Sequence, residues 1–341
     1  DCQSIIRIRR DQCMEYHELN PLIRGRELEL LSNETFERMI QTNSVEALGE
    51  ILKSTIYSPY IYDGYEYDFE QNLLKEQSRL FRWLKESAPE PEIVWIYTMR
   101  YTFHNLKVLT KAEMTNQNLD HLYIDDGFYS LETLKDAIHT QVSNELPESI
   151  MDSIREVRDY FEESTILQGI DVIYDRQFLT EQRRLADKLG YQELLTEVIA
   201  FIDLTNITTM ARGILQKRTY GFMTTVLSSS GSIEKEVFLN FVDKDMEDYT
   251  NFLLETDYAD FLRPVIREGN LDLVKLEQLK DDYLSSLYQE AQTQAFGPLP
   301  LLAFLNAKEV ESKNLRLLVI GKRSHFEPET IRKRVRQVYD A

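Results

Sequence analysis

The sequence predicts an all-α protein assembled from three similar helical units, and three observations carry that expectation. Its 341 residues include only 12 Gly and 9 Pro, about half the usual share, so turns are few and elements long. A short pattern occurs three times: Asn, then Leu or Ile, a Leu or Met three residues further, and a small residue at +7. It reads Asn105-Leu106 with Leu109 and Ala112, Asn206-Ile207 with Met210 and Gly213, and Asn314-Leu315 with Leu318 and Gly321, at spacings of 101 and 108 residues. Positions +1 and +4 share a helix face, and a small residue at +7 lets a neighbouring backbone approach. Coincidence between ordinary amphipathic helices is the alternative: Asn118-Leu119 with Leu122 meets the shorter pattern but has Asp125 at the small position. The third observation is that the order of short and long helices recurs.

In the first unit Leu22-Ile23-Arg24-Gly25-Arg26 reads as a turn leading into Glu27 to Leu31, and Ser32-Asn33 caps Glu34 to Ile40. Asn43 followed by Glu46 resembles a capping box opening a helix from Val45 to Ile56, stopped by Ser58-Pro59. A long helix spans about Asp68 to Ser87, and Pro89 and Pro91 break the chain before the helix carrying Asn105. The third unit follows the same order. Leu227 to Ser232 is the clearest linker, then come Ile233 to Val242, Met246 to Leu254, a long helix from Leu276 to Ala295, a break at Gly297-Pro298 and the Asn314 helix. Thr55 and Tyr57 recur as Thr256 and Tyr258, 201 residues on. The middle unit is a weaker copy: Ser130 to Ile138, Glu148 to Phe161, Tyr174 to Lys188, Gly190, then Leu194 to Leu215. The expected organisation is an extension at 1–13, with units at 14–126, 127–229 and 230–341.

The formal charge of −19 opposes binding to nucleic acid or an anionic lipid surface and favours a partner with basic faces. From Lys308 to Arg336, however, nine basic residues face four Glu. This locally positive end either packs on the chain's own acidic surface or contacts another molecule, for which Lys313, Arg316, Lys322 and Arg323 are the candidates. No clean apolar run approaches the roughly 18 residues of a membrane span. Cys2 and Cys13 form no disulfide framework and fit a reducing compartment. Residues 1–13 differ in character from the rest of the chain and lack the apolar core of a secretory signal, so the fold is expected to start at Met14.

Signatures of catalysis are missing. Val319 to Ser324 resembles a phosphate loop, but Arg316 stands where Gly is needed and Arg323 where Ser or Thr is needed. His17, His104, His121, His139 and His325 are scattered without zinc-ligand spacing, and Cys13 with His17 falls in the N-terminal piece. No nucleophile elbow or dinucleotide fingerprint occurs. Asp203 and Glu311 lie three residues before their repeat Asn, where the first unit has Thr102, which excludes a shared catalytic carboxylate. Asn105, Asn206 and Asn314 are expected to join helices by hydrogen bonds, because a buried amide must be satisfied. Tyr57, Tyr60, Tyr62, Tyr65 and Tyr67 suit a wall packed on one side and hydrogen-bonded on the other. No catalytic residue, metal or cofactor is expected.

Tyr101-Thr102-Phe103-His104-Asn105-Leu106-Lys107-Val108-Leu109 and the C-terminal stretch Pro300 to Arg316, followed by Gly321-Lys322, resemble the central-stalk subunit of V-type and A-type rotary ATPases. This is the C subunit of bacteria and archaea and the d subunit of eukaryotes. The resemblance runs from Met14 to the end, and the absence of large insertions matches bacterial members. It implies a funnel of three pseudo-equivalent helical units around a central cavity. Such a subunit sits on the cytoplasmic face of the membrane rotor ring, receives the central shaft (the D- and F-type subunits), and passes on torque for H⁺ or Na⁺ transport without chemistry of its own. Close-packed helices with few glycines resist deformation; polar interfaces would weaken with salt. The competing class is a soluble helical scaffold, whose repeat period is normally shorter than the one found here.

Overall fold

The computed structural model describes residues 15–338; the expectations for Cys2, Cys13 and the 1–13 extension lie outside them. In chain order the helices are α1 (Tyr16–Glu27), α2 (Asn33–Gln41), α3 (Val45–Leu52), α4 (Tyr65–Ser87) and α5 (Pro91–Thr115). There follow α6 (Leu131–Thr140), α7 (Glu148–Glu163), α8 (Gln168–Leu189), α9 (Gln192–Leu215), α10 (Tyr220–Val226) and α11 (Lys235–Leu239). The chain continues with α12 (Met246–Leu253), α13 (Ala259–Leu262), α14 (Leu273–Ser286), α15 (Leu299–Arg323) and α16 (Pro328–Arg332). The described chain is thus predominantly helical, as its low glycine and proline content requires. The exception is a hairpin pairing Ile266–Arg267 with Asn270–Leu271. Its turn residues Glu268 and Gly269 both have positive φ, 51° and 72°, the geometry that matches the twist of a two-residue hairpin.

Several element boundaries differ from the sequence expectation for identifiable reasons. Leu22 to Arg26 is not a turn but the last part of α1, which contains Pro21 and starts with a reciprocal Glu15–Glu18 capping box. The cap of α3 is Ser44, whose hydroxyl accepts from Ala47 N at 3.1 Å, rather than Asn43. That helix stops at Leu52 because the Thr55 hydroxyl takes up the Leu52 carbonyl at 2.7 Å. The expected helix from Leu276 to Ala295 splits into α14 and a short 3-10 turn at Gln289–Thr293. The expectation at Ser32 holds: its hydroxyl accepts from Thr35 N at 3.2 Å.

The chain divides into two compact units. One comprises residues up to Val94 together with Glu277 onward, and the other Trp95–Leu276. In the first, α15 packs on α1, α3 and α4, and α16 packs on α2. One apolar core there combines Phe36, Met39, Leu48, Leu52, Tyr57 and Phe69 from the beginning of the chain with Val310, Leu315, Leu318 and Ile331 from its end. In the second, α7, α8 and α9 form the main stack.

Helix α9 is long and apolar enough to cross a bilayer, with mean hydropathy 1.3 over its best 18 residues, which a search for clean apolar runs does not reveal. Burial of 67% of that window inside the protein accounts for this composition, since a helix packed all round is apolar all round.

Candidate functional site

The repeat asparagines sit on α5, α9 and α15, and all three are buried, at 0%, 1% and 0% exposure. Each grips a backbone segment beyond its helix with both ends of its amide. Asn105 donates to the Ile124 carbonyl at 2.7 Å and accepts from Ile124 N at 2.9 Å. Asn206 does the same to Ser228, at 2.8 and 2.9 Å, and Asn314 to Arg336, at 2.9 Å each way. A primary amide carries a donor and an acceptor side by side, so it can satisfy a neighbouring N–H and C=O together.

The rest of the pattern also recurs in hydrogen-bond detail. All three helices close with a left-handed residue eleven positions after the Asn: Asn116, Lys217 and His325, with φ of 52°, 53° and 56°. The next N–H returns to the carbonyl of the small residue at +7. These bonds are Gln117 to Ala112 at 3.0 Å, Arg218 to Gly213 at 2.9 Å and Phe326 to Gly321 at 2.8 Å. This is the Schellman closure, which usually recruits Gly at the left-handed position. The small residue has a second use. A Cβ at Gly213 would lie 2.5 Å from Met223 Sδ, and one at Gly321 2.9 Å from Ile331 Cδ1, so its absence lets the returning chain pack against the helix. Because Lys217 is an exposed residue held at positive φ, Lys217→Gly is expected to raise stability by about 0.5–1 kcal/mol. Chemical denaturation of the two proteins checks this; a loss of stability would refute it.

Three residues before each Asn lies a junction with the segment that opens a run of short helices. Asp203 accepts from Ser232 N at 2.9 Å, Ser232 Oγ at 2.5 Å, Ile233 N at 3.2 Å and the Tyr258 hydroxyl at 2.8 Å. Glu311 accepts from Leu31 N at 2.6 Å, the Tyr57 hydroxyl at 2.5 Å and the Lys308 ammonium at 2.7 Å. The Tyr57–Tyr258 correspondence visible in the sequence therefore serves one purpose twice, donating to the carboxylate at Asn−3. In the remaining copy the carboxylate has moved to the loop. Thr102 donates to Asp126, which also accepts from Phe128 N at 2.8 Å and Tyr129 N at 3.2 Å. Burial pushes the Asp126 carboxyl above its ordinary range against these bonds. Burial, and then the charge of Glu311, raises the Tyr57 phenol well above its usual value, so it stays a donor.

The basic C-terminal segment is largely engaged with its own chain. Lys313 pairs with Asp281 at 2.7 Å and Glu309 at 2.9 Å, and Arg336 meets the other oxygen of Asp281 at 2.8 Å. Arg332 pairs with Glu37 and Glu329, and Arg316 lies 3.8 Å from Glu70. Lys322 is 4% exposed and donates to the Ile40 and Thr42 carbonyls at 2.5 Å each; burial lowers its pKa. Among the four contact candidates only Arg323 is exposed. The tyrosine group divides as its pattern suggested: Tyr57 and Tyr65 are buried, and Tyr60 and Tyr62 bond Glu76 and Asp68 at 2.6 and 3.0 Å. Tyr67 is 72% exposed. Among the described residues no group of three His, Cys, Asp or Glu side chains is arranged to hold a metal ion.

The three asparagine clasps and the carboxylate junctions beside them bind the chain to itself, and sequence comparison specifies the class of protein that carries them. The family described as ATP synthase (C/AC39) subunit matches residues 19–334, and the chain belongs to this family, the C subunits of V-type and A-type ATPases. It is 77% identical over 327 residues to the V-type sodium ATPase C subunit of Enterococcus hirae, covering 96% of this chain and all of that protein. It is 24% identical over 340 residues to the A-type ATP synthase C subunit of Thermococcus kodakarensis, covering 95% of this chain and 91% of the relative. For the A-type ATP synthase C subunit of Methanocaldococcus jannaschii the identity is 21% over 345 residues, covering 93% and 85%.

Proposed function

We propose that this chain is the non-catalytic central-stalk rotor subunit of a bacterial V-type ATPase. In this reading it sits on the cytoplasmic face of the membrane, links the D- and F-type shaft subunits to the rotor ring, and transmits torque for ion transport. The observation that carries it is the 77% identity to the C subunit of a V-type sodium ATPase along that protein's whole length, which also makes Na⁺ the expected ion. The threefold clasp supports the accompanying architecture, three units at 14–126, 127–229 and 230–341 forming a funnel. Each Asn fixes the segment leaving its helix by two bonds at 2.7–2.9 Å, and a torque adaptor needs segments that do not slip along one another. The test is a gentle detergent pull-down of the tagged chain from native membranes, with co-purifying proteins identified by mass spectrometry. Recovery of shaft subunits, a small apolar ring protein and ATPase activity is expected. Recovery of soluble partners alone would replace this reading with that of a scaffold.

A further inference from the structure

Of the nine cations between Lys308 and Arg336, six meet carboxylates or carbonyls of their own chain. The other three, Arg323, Lys333 and Arg334, are exposed, with no carboxylate partner among the described residues. Arg323 ends α15 beside solvent-facing apolar side chains, and Lys333 and Arg334 directly follow α16, which packs on α15. The Arg323 guanidinium lies 5.8 Å from the centre of the Tyr67 ring, and Ile320 is 45% and Phe326 39% exposed. The patch is tied together at Gly321, between Ile320 and Lys322. Its carbonyl accepts from Phe326 N at 2.8 Å, and its missing side chain admits Ile331, two residues before Lys333, and the edge of Phe326.

We infer that Tyr67, Ile320, Arg323, Phe326, Lys333 and Arg334 form a docking surface for an acidic face, with an apolar centre, on another protein of the ATPase. This rests on the function proposed above and names the chemistry of one of its contacts. Aromatic residues and Arg dominate the energetic centres of protein interfaces. These three cations form no ion pair among the described residues in a chain of net charge −19, so an acidic partner is repelled elsewhere and steered here. The same net charge disfavours an anionic bilayer as the occupant, because a lipid surface meets the field of the whole chain.

The experiment adds the purified full chain to membranes carrying the V-type ATPase from which this subunit has been stripped, and measures rebinding against salt. R323E/K333E/R334E is expected to weaken binding by at least about tenfold per reversed charge and to flatten the salt dependence. Phe326→Ser is expected to weaken binding with the salt dependence retained. The triple variant should melt at the wild-type temperature, since its altered side chains are exposed, and Phe326→Ser slightly below it but still folded, since Phe326 packs only one edge at Gly321. Wild-type binding by the triple variant would overturn the inference, as would loss confined to binding of protein-free vesicles made with phosphatidylglycerol. Failure of the wild-type chain itself to rebind would overturn the central-stalk reading, and this partner with it.

Discussion

Glu311→Ala is expected to destabilise the protein by about 3–5 kcal/mol, the usual consequence of removing one partner from a buried ion pair. Glu311 is 1% and Lys308 8% exposed, so the Lys308 ammonium would stay desolvated with its carboxylate gone from 2.7 Å. The Tyr57 hydroxyl and Leu31 N–H lose their acceptor in the same step. A shift of the thermal midpoint by roughly 10 °C would accompany the loss. Lys308→Met combined with Glu311→Leu should recover much of it, because an apolar pair leaves no orphaned charge, although Tyr57 and Leu31 remain unsatisfied. A single-variant loss under about 1 kcal/mol would mean that water reaches Lys308 and the pair is not a buried one.

Asn206→Leu is expected to cost about 2–6 kcal/mol, the sum for a stranded N–H and a stranded C=O. The clasped residue Ser228 is 0% exposed, so no solvent replaces the amide. The same change at Asn105 or Asn314 should cost less, because Ile124 and Arg336 are only half-buried and water can take over part of the bonding. Urea denaturation of the three variants tests the order. Equal losses at all three positions would show that packing of the Asn side chain, and not the two backbone bonds, sets the energy.

Much of this arrangement was legible in the sequence because it rests on side-chain identity at fixed spacing. Asn, the apolar +1 and +4 positions and the small +7 residue are periodic on one helix face, and Tyr57 and Tyr258 stand out as a matched pair 201 residues apart. The closures at Asn116, Lys217 and His325 were not legible, because three unlike residues occupy a backbone conformation usually marked by Gly. The Asp126 junction was hidden by the shift of its carboxylate from helix to loop, with Thr102 left at the old position. Leu22 to Arg26 misled because its Gly25 reads as a turn, while burial of Leu19 and Ile23 at 0% exposure holds that segment helical. In the C-terminal segment, composition revealed the excess of positive charge but not its sorting. Lys313 and Lys322 are cations like Arg323 and differ from it only in what stands beside them.

The bond from Tyr57 to Glu311 joins residues 254 positions apart, and this constrains how the protein can be made. A ribosome adding 5–20 residues per second needs about 13–50 s to travel that distance. Throughout that interval Phe36, Met39, Leu48 and Phe69 have no Val310, Leu315 or Leu318 to pack against. This early segment is therefore the last to be completed, held through most of translation as an unfinished apolar surface. Its nascent chains should depend on chaperone cover to a degree that its even helical composition does not suggest.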